Sequence, residues 1–126
     1  METVTHAASW FEIPVIDFER AKKFYSRIFD YEMPEMPMGA GMMGILPHDR
    51  DNGVGGAIVK ADGYVPTSTA GSLVYLNGGA NLQTVLDRVT SAGGKVLQGK
   101  TEIPSMGHYA FFADTEGNKV GLYSMG

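Results

Sequence analysis

The chain has no cysteine. That absence removes disulfides, thiolate nucleophiles and cysteine-based metal sites together, and leaves the compartment unmarked by redox chemistry. No apolar run approaches the ~20 residues that a membrane-spanning helix needs, so no membrane partner is expected. Basic clusters are also missing. Lys22, Lys23 and Arg27 are balanced locally by Asp17, Glu19 and Asp30, and the formal charge of −4 is spread along the chain. Nucleic acid, which would call for a basic stripe, is therefore not an expected partner. The opening METVTHAASW has neither a basic start nor an apolar core, so no signal peptide is expected and the cytoplasm is the expected compartment. There is no G-x-x-x-x-G-K-[ST] loop, no G-x-G-x-x-G after a strand and no G-x-S-x-G elbow. The glycine-rich AGGK at 92–95 ends a helix rather than starting one, so it cannot cradle a phosphate.

What remains is a chain of 126 residues, 44% apolar and 19% charged. It fits one globular domain, or two small halves that share a core. The halves are visible in the pattern. Residues 9–16 (SWFEIPVI) alternate, with Phe11, Ile13 and Val15 on one face and Trp10, Glu12 and Pro14 on the other. Asp17 then stands as a helix cap, and Phe18, Ala21, Phe24, Tyr25, Ile28 and Phe29 recur at helical spacing. About half a chain later, SLVYLN reads as a strand and Asn81 as a cap. Leu82, Val85, Leu86 and Val89 repeat the stripe, and Gly93 and Gly94 stop it. Each helix is followed by a Pro-rich turn, an apolar run and a strand carrying Val-Gly.

The spacing predicts strands over 9–16, 31–37, 42–47, 54–60, 72–77, 95–103, 109–113 and 119–124, and helices over 18–29 and 82–92. The expected fold class is α+β: two βαβββ modules forming a curled mixed sheet around a concave cavity. The expected domain spans 1–126, with module 1 at about 9–60, a linker at 61–71 and module 2 at about 72–125. Each helix covers one face of its sheet, so function is to be sought on the other face.

The doubled pattern resembles the vicinal oxygen chelate superfamily of glyoxalases, bleomycin-resistance proteins and extradiol dioxygenases. The carrying stretches are FEIPVIDFERAKKFYSRIFDYEM (11–33) and AGGKVLQGKTEIPSMGHYAFFADTEGNKVGLYSM (92–125), above all Phe24-Tyr25 and the Asp114-x-x-Gly117-Asn118 hairpin. The resemblance covers essentially the whole chain and looks closest to the small bacterial branch labelled glyoxalase-related. It implies four metal ligands (His, Glu or Gln), two from each half. Carried over, those positions fall at Trp10, Gly56, Ser72 and Gly121, none of which is an ordinary strong ligand. No cofactor and no metal are therefore expected.

The candidate binding residues are Trp10, Glu12, Gly56, Ser72, Val74 and Gly121. Trp10 has two open roles, a stacking surface for a planar ligand or a filler where the metal is missing. Glu12 is a candidate general base or hydrogen-bond acceptor, or a carboxylate paired with Lys or Arg at the rim. His108, at the start of YAFFA, is a candidate proton carrier or a solvated turn residue. His48 is expected to face solvent in its polar loop, and His6 carries little weight in the N-terminal tail. Tyr75 shares its alternation with Leu73 and is expected to face the helix. Gly121 is expected to leave the cavity roomy, with Asp114 capping its own turn and Gly117-Asn118 suited to positive φ. Five methionines between 33 and 43, with Pro34 and Pro37, suit an adaptable pocket wall, a loosely packed edge or a subunit contact.

Three readings follow. The first is a metal-free binder of a small, partly apolar molecule. The second is a metal-independent enzyme using Glu12, aided by His108. The third is the metal-dependent lyase, isomerase or dioxygenase that the resemblance implies, and the replaced ligands argue against it. Open sheet edges and the habit of the family make a homodimer the expected assembly, with 33–43 as its candidate contact.

Overall fold

The computed structural model describes residues 4–126; the expected domain span also takes in residues 1–3, which lie outside the described residues. The elements run β1 (Trp10–Pro14), α1 (Phe18–Ile28), β2 (Glu35–Met38), β3 (Gly41–Ile45), β4 (Gly55–Lys60), β5 (Tyr75–Asn77), α2 (Gln83–Leu86), β6 (Lys95–Ile103), β7 (Gly107–Ala113) and β8 (Lys119–Ser124). They form two four-stranded sheets of matching order, β1-β4-β3-β2 and β5-β8-β7-β6. In each, the first and last strands pair in parallel and the other pairs are antiparallel. This is the expected βαβββ repeat.

Asp17 caps α1 by accepting the Arg20 amide at 3.1 Å, satisfying one of the donors a helix start leaves open. The stripe Phe18, Ala21, Phe24, Tyr25 and Ile28 is buried. It meets Ile13 and Ile58 from the first sheet and Phe112, Val120 and Leu122 from the second in one shared core. The two halves thus bury their apolar surface together.

The second helix differs from expectation. Its α-helical part is only four residues long, and 87–93 continues as successive turns. The bonds there include Arg88 to Val85 and Val89 to Leu86, one residue tighter than an α-helix. The stripe still does its work, since Leu82, Val85, Leu86 and Val89 are all buried. Gly93 takes φ +104° at the stop, as the sequence predicts. The fifth strand is also shorter than expected, beginning at Tyr75 rather than 72. No helix among the described residues is long and apolar enough to cross a membrane.

Candidate functional site

Strand register decides which side chains share a face. Ile13 pairs with Ile58 and both lie in the core, so Trp10, Glu12 and Pro14 occupy the face away from the helices, with Gly55, Ala57 and Val59 beside them. In the second sheet, Leu76, Ala110, Phe112, Val120 and Leu122 are core residues. The alternate positions therefore make up its helix-free face. One row across that face is Gln98, Phe111, Gly121 and Tyr75; the next is Thr101, Tyr109, Tyr123 and Asn77; a third is Lys95, Ala113 and Lys119.

The structure corrects several expected positions. Gly56 pairs with Phe11 on the helix side, where an added Cβ would lie 2.3 Å from the Phe11 ring; its neighbour Gly55 is the glycine that shares a face with Trp10. Ser72 lies in the exposed loop before β5. Val74 packs against the core, its carbonyl accepting the Gly121 amide at 2.8 Å. Tyr75, expected toward the helix, instead lies on the helix-free face and is 49% exposed. Gly121 does lie on that face but leaves no open space, because a Cβ there would meet the Tyr75 ring at 2.5 Å.

Each half therefore carries the same pair. An aromatic residue on the first strand stands in register with a glycine on the last: Trp10 with Gly55, and Tyr75 with Gly121. Rings cover both glycines. Tyr75 covers Gly121, while His48 covers Gly55, its Nε2 lying 2.5 Å from where a Cβ would be. His48 is thus half-buried rather than facing solvent. Its Nδ1–H donates to the Leu46 carbonyl at 2.9 Å, and its ring stands edge-on to Trp10 with centroids 6.3 Å apart.

Glu12 is on the same face as Trp10, and its contacts are those of a hydrogen-bond acceptor rather than of a rim ion pair. One oxygen accepts from the Tyr64 hydroxyl at 2.6 Å and the other from Trp10 Nε1 at 3.3 Å. Its partners are a phenol and an indole, not Lys or Arg, and the bond to Glu12 raises the Tyr64 pKa above its ordinary value. Tyr64 belongs to the linker, so 61–71 reaches the helix-free face of the first sheet. His108 lies elsewhere. It pairs across strands with Ser124, opposite in face to Tyr109, and its Nδ1 is 3.3 Å from the Met125 carbonyl. The structure does not bring Glu12 and His108 together.

A cleft of about 250 Å³ lies where the halves meet, lined by Phe11, Phe29, Gly55, Gly56, Tyr75 and Leu76 among others. A second depression of about 260 Å³ is bounded by Tyr75, Ile103, Tyr109 and Tyr123. The rings interlock: Tyr75 and Phe111 have centroids 5.7 Å apart, and Tyr109 and Phe111 5.4 Å, both within the range of favourable aromatic contact.

Behind this surface lies a polar cluster, of which only the turn capped by Asp114 is expected from the sequence. Asp114 accepts the Tyr25 hydroxyl at 2.8 Å, the amides of Glu116 and Asn118, and the Asn118 side chain. Asn118 in turn donates to the Pro14 carbonyl at 2.7 Å. Glu116 accepts the amides of Ile16 and Asp17 and pairs with Arg20 at 2.7 Å. Burial raises the Asp114 pKa against these bonds. Glu116 is also opposed by burial, yet its bonds to Arg20 and the two amides hold it down at about 2. Only Gly117 of the hairpin takes positive φ; Asn118 serves as a hydrogen-bonding bridge instead. The signal available in sequence was the polar run DTEGN directly before an apolar strand.

These positions do not fit the metal centre that the fold implies. Trp10, Gly56, Ser72 and Gly121 offer neither imidazole nor carboxylate, and nor do Gly55 and Tyr75, which stand in register with Trp10 and Gly121; no group of three or more His, Asp or Glu side chains that could hold an ion is found among the described residues.

Known proteins share this architecture. A glyoxylase-like domain-containing protein from Didymella fabae is 33% identical over 114 residues, covering 87% of each chain. A glyoxalase/bleomycin resistance protein from Streptomyces sp. CB03234 superposes with a TM-score of 0.65 at 27% identity, covering 91% of this chain and 97% of that one. TnmS3, an antibiotic binding protein from the same organism, superposes with a TM-score of 0.65 at 22% identity over 100% of both chains. The model of the Glyoxalase/Bleomycin resistance protein/Dioxygenase superfamily matches residues 4–122. With the doubled βαβββ topology and a family match spanning nearly all of it, the chain belongs to that superfamily.

Proposed function

We propose that this protein binds a small, partly planar and mainly apolar organic molecule on its helix-free faces, without a four-ligand metal centre. The observation that carries this reading is the repeated pair, Trp10 with Gly55 and Tyr75 with Gly121. Trp10 stands at one of the positions where the resemblance implies a metal ligand, Tyr75 covers another at Gly121, and exposed rings offer large contact area at little conformational cost. The likeness in fold to an antibiotic binding protein is in keeping with it. Glu12, with both oxygens engaged, serves to hold Trp10 and Tyr64 in place. The working unit in this reading is a homodimer. Its contact is the β2 edge, where Met36 is 49% exposed and the edge of the sheet is unpaired.

Trp10 is the only tryptophan, so its emission reports on this surface alone. Titration with a planar aromatic such as 2-naphthamide should quench or shift it. Trp10→Ala and Tyr75→Ala, with binding followed calorimetrically, should each weaken binding by about 1–3 kcal/mol, the scale of a lost buried aromatic contact. Light scattering of the same samples should give the mass of two chains. Unchanged affinity in both variants would remove these faces as the site.

A further inference from the structure

The helix-free face of the second sheet carries charge of one sign. Its third row places Lys95 and Lys119 on either side of Ala113, next to the row of Phe111 and Tyr75. No Asp or Glu falls on this face: Glu102 pairs with His108 and lies on the opposite side. The protein as a whole is acidic, with a formal charge of −4, so two lysines beside an aromatic surface run against the general balance. Both are exposed, and neither belongs to the ion pairs found among the described residues, Arg20–Glu116 and Lys22–Glu35. Lys119 Nζ sits 4.3 Å from the centroid of Phe111. That contact keeps the charge at the ring surface without neutralising it, and leaves ammonium donors for a ligand.

We propose that this face reads a negatively charged group on a planar aromatic ligand, with Lys119 and Lys95 supplying the counter-charge and Phe111 and Tyr75 the stacking surface. The inference rests on the small-molecule reading above and names the ligand class for it, an aryl carboxylate or a similar aromatic anion. Geometry agrees. Positions two apart on a strand are about 7 Å apart, the scale of a fused two-ring system carrying one acidic substituent. The first sheet's face offers no lysine or arginine beside Trp10: its ionisable neighbours there are the Glu12 carboxylate, engaged by Tyr64 and Trp10, and the His48 imidazole, whose Nδ1 is bound to the Leu46 carbonyl and whose ring is packed over Gly55.

The test compares 2-naphthoate with neutral 2-naphthamide by isothermal titration of the full chain at low salt. Naphthoate should bind at least tenfold more tightly. Replacing both lysines (Lys95→Gln with Lys119→Gln, each exposed and outside the core) should bring the two probes within about twofold. Adding salt to the wild type should narrow the gap in the same direction, because exposed charges are screened. Equal binding of both probes to the wild type would overturn the charge assignment while leaving the aromatic site standing. If neither probe binds at millimolar concentration, both readings fall. If naphthoate fails to bind and Tyr109→Ala converts a two-chain mass to one, the face belongs to a second copy and the proposal is overturned.

Discussion

The loop between β3 and β4 and the hairpin between β7 and β8 hold matching places in the two halves, and each is organised by an aspartate that gathers amides. Asp49 accepts those of Asp51 and Asn52; Asp114 accepts those of Glu116 and Asn118. There the likeness ends. Asp49 lies exposed and its bonds stay within its own loop. Asp114, Glu116 and Asn118 are buried, and through Tyr25, Pro14, Ile16, Asp17 and Arg20 they grip the end of β1 and the helix of the other half. A further tie runs the same way: Arg88, beyond α2, donates to the Ile28 carbonyl at 3.0 Å. The repeat is symmetric in topology but not in what holds it together. The second half's hairpin completes the capping of the first half's helix, which runs for 11 residues, while α2 has four and passes into turns at its C-terminal end.

The sharpest break of this comparison is Asp114→Ala. It leaves the Tyr25 hydroxyl, the Asn118 amide groups and the Glu116 amide without their acceptor in a buried setting. The expected loss is about 3 kcal/mol or more, read from urea unfolding. Next is Glu116→Gln, which keeps the shape and removes the charge. With the screening of exposed Arg20 allowed for, the loss at neutral pH should be about 1–2 kcal/mol. The same variant changes the acid limb. Glu116 is held at about 2 against an ordinary 4.5, so its contribution is complete above pH 4.5 and drains away as pH falls toward 2. Asp114 acts in the opposite sense: its raised pKa means that the folded state takes up this proton first as the medium acidifies. In Glu116→Gln the first contribution disappears, and stability should fall less steeply below pH 4.5, as urea midpoints across that range will show. Smallest of all is Asp49→Ala, which should shift Tm by about 2 °C or less. Equal losses from Asp49→Ala and Asp114→Ala would end the asymmetry.

The repeat, the eight strands and α1 were legible because apolar periodicity reports directly on which face is buried. Trp10 and Glu12 were legible for the same reason. The errors cluster where that signal fails. In β4 the run GGAIV is buried throughout, so no alternation distinguishes Gly55 from Gly56, and a one-residue slip turns every side chain to the other face. In SLVYL four consecutive apolar residues hide the parity of a strand only three residues long; polar Asn77, in step with Tyr75, was the available clue. The length of α2 was hidden because a stripe of Leu and Val is buried equally well by tight turns. The Glu116 contacts join residues about 100 positions apart, beyond the reach of any local pattern.

The Tyr75 ring over Gly121 also constrains how this chain could change. A carboxylate at 121, the side chain a metal-using relative would need there, would set its Cβ 2.5 Å from the ring, so the ring would have to move aside or be replaced as 121 grew. The same holds for His48 and Gly55. Each such change would displace an aromatic surface from this face, so a ligand set could be built here only at the expense of the rings that now cover both glycines.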